Sequence, residues 1–203
     1  MHPFMSSVFG HGLAAIAINS TSPKTDSQLN RIIWLLWLIF VALIPDLDHF
    51  LPFLHQSANN NIRITHTILF CSLLPAITSL LLPIFGCRGS LLKIKIIQVF
   101  SAGLSHLVLD LLVGIAGFYL FWPLSSLKLK LPFGLLPSAG KLALDNYYLY
   151  ANLGLELGVL LPSFYILIQI GKGWRAVWKK RWLIGGCLLV SLWFMWESFN
   201  LVR

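Results

Sequence analysis

Charge is what this sequence is short of. Only 11% of its 203 residues are Asp, Glu, Lys or Arg, against about 25% in a soluble domain. Acids are the scarcer kind, seven against fifteen bases. So few charges cannot make a water-facing shell of ordinary polarity, so a soluble globular domain is excluded and lipid must cover most of the surface. Cysteine is scarce too. Cys71, Cys87 and Cys187 are far apart, odd in number and without a C-x-x-C, which excludes a thiolate metal site and a disulfide framework and leaves them as buried packing residues. With no repeat, no low-complexity tract and no separate polar stretch, the 203 residues read as a single membrane-embedded domain.

What is present is apolar: 57% hydrophobic residues and a mean hydropathy of +0.79. Six apolar segments lie near 3–19, 29–45, 66–85, 94–121, 149–170 and 182–201. They predict an all-α fold, a polytopic transmembrane helix bundle of about six segments, most of them approaching the ~20 residues of a membrane span. The first two are short enough to lie tilted or half-buried. The fourth is overlong, and Gly114 and Gly117 are placed to end or kink it. Pro75, Pro83 and Pro162 fit bundle helices whose freed carbonyls are satisfied by neighbours. The polar chemistry concentrates in 8–124, while 147–203 adds two further membrane helices.

At the N-terminus, Val8 to Ile18 could serve as a signal-peptide core, with Ala15-Ile16-Ala17 as a cleavage site. Met1 to Gly10 carries no base, however, and His11 interrupts the apolar run, so the segment is expected to be retained. The net charge of +8 sits in the short connections, as in membrane proteins that orient by Lys/Arg bias and touch anionic lipid, and no nucleic-acid partner is expected. Six crossings would put ten bases, from Lys24 to Arg181, in the cytoplasm. Arg63, Lys128, Lys130, Lys141 and Arg203 would then face outward, with both termini and the connection from Asp46 to Thr65.

An ionisable residue in a membrane segment is expensive and marks function. Those here are His11, Asp46, Asp48, His49, His66, His106, Asp110, Glu156 and Glu197, and six crossings bring most of them to the outward layer. His106 and Asp110 are four residues apart, about 40° around a helix, so both can face one cation, as in helical zinc motifs. The plainer reading is an aspartate orienting a buried histidine. In Pro45-Asp46-Leu47-Asp48-His49 the proline ends a helix and the acids follow. Asp46 is a candidate ligand, and Asp48 a second ligand, a partner supporting a ligand, or a general base; a solvated helix end is the alternative. In Arg63-Ile64-Thr65-His66, Arg63 could grip a phosphate bidentately or simply snorkel, and Thr65 could cap the next helix. His11, between Gly10 and Gly12, joins the set through the company of the others. Asn152 and Glu156 could add a ligand or proton acceptor. His2, His49 and His55 belong at the interface, as do the Trp34/Trp37 and Trp174/Trp178/Trp182 anchors. A His/Asp set without Cys suits Zn²⁺, then Mn²⁺ or another divalent ion, and such sites lower the pKa of a water toward ~7.

Read in order, the chain gives His11, Pro45-Asp46-Leu47-Asp48-His49, Arg63-x-Thr65-His66-Thr67, Gly103-Leu-Ser105-His106-Leu-Val-Leu-Asp110 and Phe121-Trp122-Pro123-Leu124. Over about residues 8–124 this resembles the YdjM family of inner-membrane, metal-dependent hydrolases. Where that family often has His before the Arg and Gly after it, Ile62 and Ile64 stand here. The order is more distantly similar to zinc-dependent phospholipases C and single-strand zinc nucleases, which complete their cluster with further His and acidic ligands. This chain has no second His-x-x-x-Glu, and Asn152/Glu156 is an imperfect substitute. These resemblances imply a multi-pass protein of the inner (plasma) membrane with a divalent metal, Zn first and Mn next, held by His11, Asp46, His66, His106 and Asp110. They imply cleavage of a phosphoester, lipid-linked since the site would lie among headgroups of the outer leaflet, by metal-activated water. Asp48 is then the candidate base and Arg63 the anion contact. The alternatives are a non-enzymatic membrane protein that binds or transports a divalent cation through the same residues, and one whose metal only staples its helices.

Overall fold

A computed structural model describes residues 7–22, 28–114, 117–138 and 145–201. Lys24, Lys141 and Arg203 of the loop-charge count, and His2, lie outside the described residues. The described helices are α1 (Val8–Asn19), α2 (Gln28–Leu43), α3 (Ile68–Leu81), α4 (Gly89–Val113), α5 (Tyr147–Gly171), α6 (Trp174–Lys179) and α7 (Arg181–Phe199). Among the described residues there is no β-strand, only an antiparallel pairing in which Phe118 and Leu129 exchange backbone hydrogen bonds of 2.8 and 2.9 Å. The expected all-α architecture is what forms.

The number of spans differs from the expected six. Among the described residues, four helical stretches are long and apolar enough to cross a membrane: Gln28–His49, Gly89–Val113, Tyr147–Gly171 and Arg181–Phe199. The other two apolar segments yield α1 and α3, of 12 and 14 residues. At 1.5 Å per residue these reach roughly 18 and 21 Å, short of the ~30 Å hydrocarbon core.

The chain packs as two compact units. One comprises Ala14–Val108 and Gly117–Leu129. Its core is Ala15, Trp34, Leu38, Val41, Ala42, Val99 and Ala102. Two devices set its geometry. Pro45 falls inside a 3₁₀ turn, Ile44–His49, that continues α2, because proline cannot donate to the α-helical ladder. Gly103 of α4 lies against the backbone of α3, where a Cβ would meet the Cys71 carbonyl and the Pro75 ring, so the two helices approach as closely as small residues allow.

The other unit comprises Met1–Leu13, Leu109–Ala116 and Lys130–Arg203. Here α5 packs on α7. The Ser163 and Ser191 hydroxyls pair at 2.8 Å, and Ser191 also donates to the Val159 carbonyl at 3.2 Å, the polar contacts expected between helices in lipid. Gly114, at φ +70°, ends α4 as its sequence position suggested, in a left-handed conformation that favours glycine. The last turn of α4 is satisfied from a distance: the Leu135 and Leu136 amides both donate to the Leu112 carbonyl, at 2.7 and 3.0 Å.

Candidate metal centre

The 3₁₀ turn after α2 aims two carboxylates in different directions. With three residues per turn, positions two apart diverge by about 120° around the axis. Asp46 accordingly turns to two histidines and Asp48 to an arginine. Asp46 Oδ1 lies 3.7 Å from His66 Nε2 and 3.6 Å from His106 Nε2, and the two Nε2 atoms are 3.2 Å apart. Both histidines are fully buried, whereas Asp46 is partly exposed.

His106 is held by a backbone group. Its Nδ1 is 2.7 Å from the Ala42 carbonyl oxygen. A carbonyl only accepts, so Nδ1 carries the proton and the Nε2 of the neutral ring presents a lone pair. His66 is held on three sides. Its Nδ1 is 2.9 Å from Thr65 Oγ1 and 3.9 Å from Asp48 Oδ2. Phe118 stacks on its ring at 5.4 Å between centroids. Behind it, Cys71 donates to the Thr65 carbonyl at 3.4 Å.

These residues fit a divalent ion. Zinc bonds of about 2.0–2.2 Å to N and O imply tetrahedral edges of about 3.3–3.6 Å, and the three separations of 3.2, 3.6 and 3.7 Å bracket that range. One carboxylate and two imidazoles, each ring braced through its other nitrogen, make a suitable donor set. The group could hold a metal ion.

Asp48 is gripped by Arg63 through two parallel bonds, Nε to Oδ2 at 2.8 Å and Nη2 to Oδ1 at 2.9 Å. His49 Nδ1 is 3.6 Å from Asp48 Oδ1 and half-exposed, consistent with a position at the rim. Thr65, expected as a helix cap, instead serves His66. The cap of α3 is Thr67, whose Oγ1 accepts from the Phe70 amide at 3.2 Å.

In the other unit, His11 Nε2 and Asp110 Oδ1 are 3.5 Å apart and both residues are fully buried. Asp110 lies one turn beyond His106 on α4. Glu156 is buried and accepts from the Ser7 amide at 3.0 Å, which ties the start of α1 to α5. Asn152 donates to the Ser138 carbonyl at 2.9 Å.

The Ala42 carbonyl, Thr65 as a partner of His66, and Phe118 are not among the site residues that the sequence predicts. Only Thr65 left a signal, as a hydroxyl beside a candidate ligand.

Fold and site define an α-helical membrane protein with a buried His/Asp group able to hold a cation. The family model described as YdjM inner membrane protein matches residues 1–200, and the chain belongs to that family. It is an inner-membrane protein. No protein of curated function matches it, and no solved structure does.

Proposed function

We propose that this protein is a membrane-embedded, metal-dependent hydrolase that cleaves a phosphoester of a lipid-linked substrate. The observation that carries the reading is the triad of Asp46, His66 and His106, with ligand atoms 3.2–3.7 Å apart and two of its three members fully buried. Zn²⁺, or Mn²⁺ in its place, would supply there a Lewis acid and a water of lowered pKa.

The chain's own groups account for the remaining chemistry. Arg63 is a fork suited to phosphate oxygens. A substrate phosphate drawing that fork from Asp48 would leave Asp48 Oδ2 to take a proton from the attacking water. His106 keeps its orientation throughout, because the Ala42 carbonyl holds its Nδ1 proton.

Two features support a lipid-linked substrate. The loops on either side of His66 expose Phe50, Phe53, Phe121, Leu124 and Leu127, with Leu124 at 94%, a costly arrangement in water and a natural one among headgroups and acyl chains. The unit that holds the triad also supports an orientation. Its α2 and α4 both start at the end bearing Arg31, Arg88, Lys93 and Lys95 and run toward the end bearing the triad. A Lys/Arg bias of this kind favours the first end being cytoplasmic, which supports a site that opens toward the outer leaflet.

The test is release of phosphate or alcohol from a phosphoester panel, water-soluble and long-chain, by zinc- or manganese-loaded protein in detergent. Turnover of long-chain members that vanishes in a folded His106→Ala variant is expected. A wild-type protein inert to the whole panel would sink the hydrolase reading. A metal that such an inert protein still retained would then be a staple between helices.

A further inference from the structure

The unit that contains α5, α6 and α7 carries a feature with no part in the hydrolase reading. Gly158 lies against the Phe194 ring and Ser163 pairs with Ser191, so α5 and α7 run antiparallel and α6 closes their shared end. Gly173, at φ +95°, makes the turn out of α5, in a backbone region that favours glycine. Both flanking helices are long and apolar enough to cross a membrane, which sets this tip at the level of the lipid headgroups.

The tip is cationic and aromatic. Lys172, Arg175, Lys179, Lys180 and Arg181 are a third of the chain's fifteen bases, and no acid occurs between Glu156 and Glu197. All five are exposed, and among the described residues no carboxylate pairs with any of them. At about 100° per residue, α6 sorts into three sectors. Trp174 and Trp178 share one, Arg175 and Lys179 the next, and the half-buried Ala176 and Val177 the third. Trp174, Trp178 and Trp182 are 71%, 52% and 84% exposed, as indoles seated in a headgroup layer are. The Arg181 guanidinium stands 5.6 Å from both the Trp178 and the Trp182 ring, and Lys180 Nζ lies 5.5 Å over the Tyr165 ring. Stacking steadies a guanidinium by its face and leaves its N–H edge for phosphate oxygens.

We propose that this tip is a binding surface for anionic phospholipid, with headgroup phosphates at Arg175, Lys179 and Arg181 and the three indoles between the lipids. The charge selects the sign of the headgroup. The exposed indoles and the two flanking spans select a lipid over a free phosphate. The inference does not depend on the hydrolase reading.

The test is native mass spectrometry of the full chain released from vesicles of phosphatidylcholine and phosphatidylglycerol in equal amounts. Contact with even one base implies about fivefold enrichment of phosphatidylglycerol on the wild type. Most of that enrichment should vanish when the vesicles are held at about 1 M salt, where screening acts within ~3 Å. Arg175→Gln/Arg181→Gln should lose most of the preference at low salt, with an unchanged unfolding midpoint, and Arg175→Lys/Arg181→Lys should keep it. Arg88→Gln/Lys93→Gln removes the same charge at the start of α4 and should behave as wild type. Equal retention of the two lipids by the wild type, or a preference that ignores salt, would overturn the proposal. So would a preference unchanged in the Arg175→Gln/Arg181→Gln protein or lost equally in the α4 variant. A second copy of the chain retained in place of lipid would overturn it too, marking the tip as a protein interface.

Discussion

Arg63 and Asp48 form a bidentate pair, at 2.8 and 2.9 Å, between residues fifteen positions apart. Asp48 is buried and Arg63 nearly so, and Asp48 also stands 3.9 Å from the outer nitrogen of His66. The pair therefore joins the turn after α2 to the turn before α3, the two pieces of chain that supply Asp46 and His66. A carboxylate behind a ligating histidine fixes ring orientation and raises basicity.

Breaking the pair from one side should cost more than removing it. Arg63→Ala strands a buried carboxylate, and a loss of about 3–5 kcal/mol is expected. The double variant Asp48→Leu/Arg63→Met should regain most of that loss while still binding metal more weakly than wild type. Thermal unfolding in detergent, run beside metal titration, separates the two effects. Equal stability of the single and double variants would show that the pair carries little coupling.

Gly103 controls the spacing of the histidines. A methyl group there would press on the Cys71 carbonyl and separate α3 from α4. Cys71 in turn supports the Thr65 backbone next to His66, and His106 follows Gly103 by one turn. Gly103→Ala should cost about 1–3 kcal/mol of stability and weaken metal binding by about 10–100-fold, as loss of other supporting groups does. Competition with a chromophoric chelator measures the affinity. Unchanged affinity would mean that the triad does not depend on this helix contact.

Local signals made part of this legible. Pro45 announced the break that turns Asp46 and Asp48 out of α2, Gly114 announced the end of α4, and the four-residue spacing of His106 and Asp110 put both on one helix face. Hydropathy, in contrast, marks where a chain is apolar and not how long its helix will be. The α3 segment looked like a span, but Thr67 takes the extended conformation of a cap, φ −110° and ψ 152°, and the helix stops at Leu81. Thr65 and Thr67 are chemically alike, and only the backbone decides which one caps. The Ala42 carbonyl and Phe118 come from α2 and from a loop far along the chain, so no local pattern could pair them with the histidines. Arg63 read as a contact for a ligand because its partner, Asp48, sits fifteen residues away.

Gln98 should prove a structural keystone of the unit that carries the triad. Its amide accepts from Trp34 and donates to Ile18, Thr21 and Ser22. Gln98→Leu preserves volume but removes the partner of a buried indole N–H, for which a loss of about 1–3 kcal/mol is expected. An unfolding midpoint equal to that of wild type would show that the seam between the α1 end and α4 is held by packing alone.

Removing the metal gives the sharpest prediction, because the protonation pattern of the triad must respond to it. With an ion bound, His66 and His106 would hold it through their Nε2 atoms, and His66 would keep its proton on Nδ1, toward Thr65 and Asp48. Without the ion, two lone pairs and a carboxylate oxygen would face one another at 3.2–3.7 Å. His106 cannot relieve this, since the Ala42 carbonyl requires its Nδ1 proton. His66 can, by moving its proton to Nε2 and donating to His106 while the Thr65 hydroxyl donates to Nδ1. Chelation should therefore leave a folded protein with a changed His66 tautomer, readable as a shift of its ring nitrogens by NMR. The metal-loaded state should exceed it in stability by about 2.7 kcal/mol when free metal stands a hundredfold above Kd. His106→Ala should show no response to chelator. A wild type whose unfolding midpoint and His66 nitrogens ignore both chelator and added zinc would reduce the triad to a buried polar cluster.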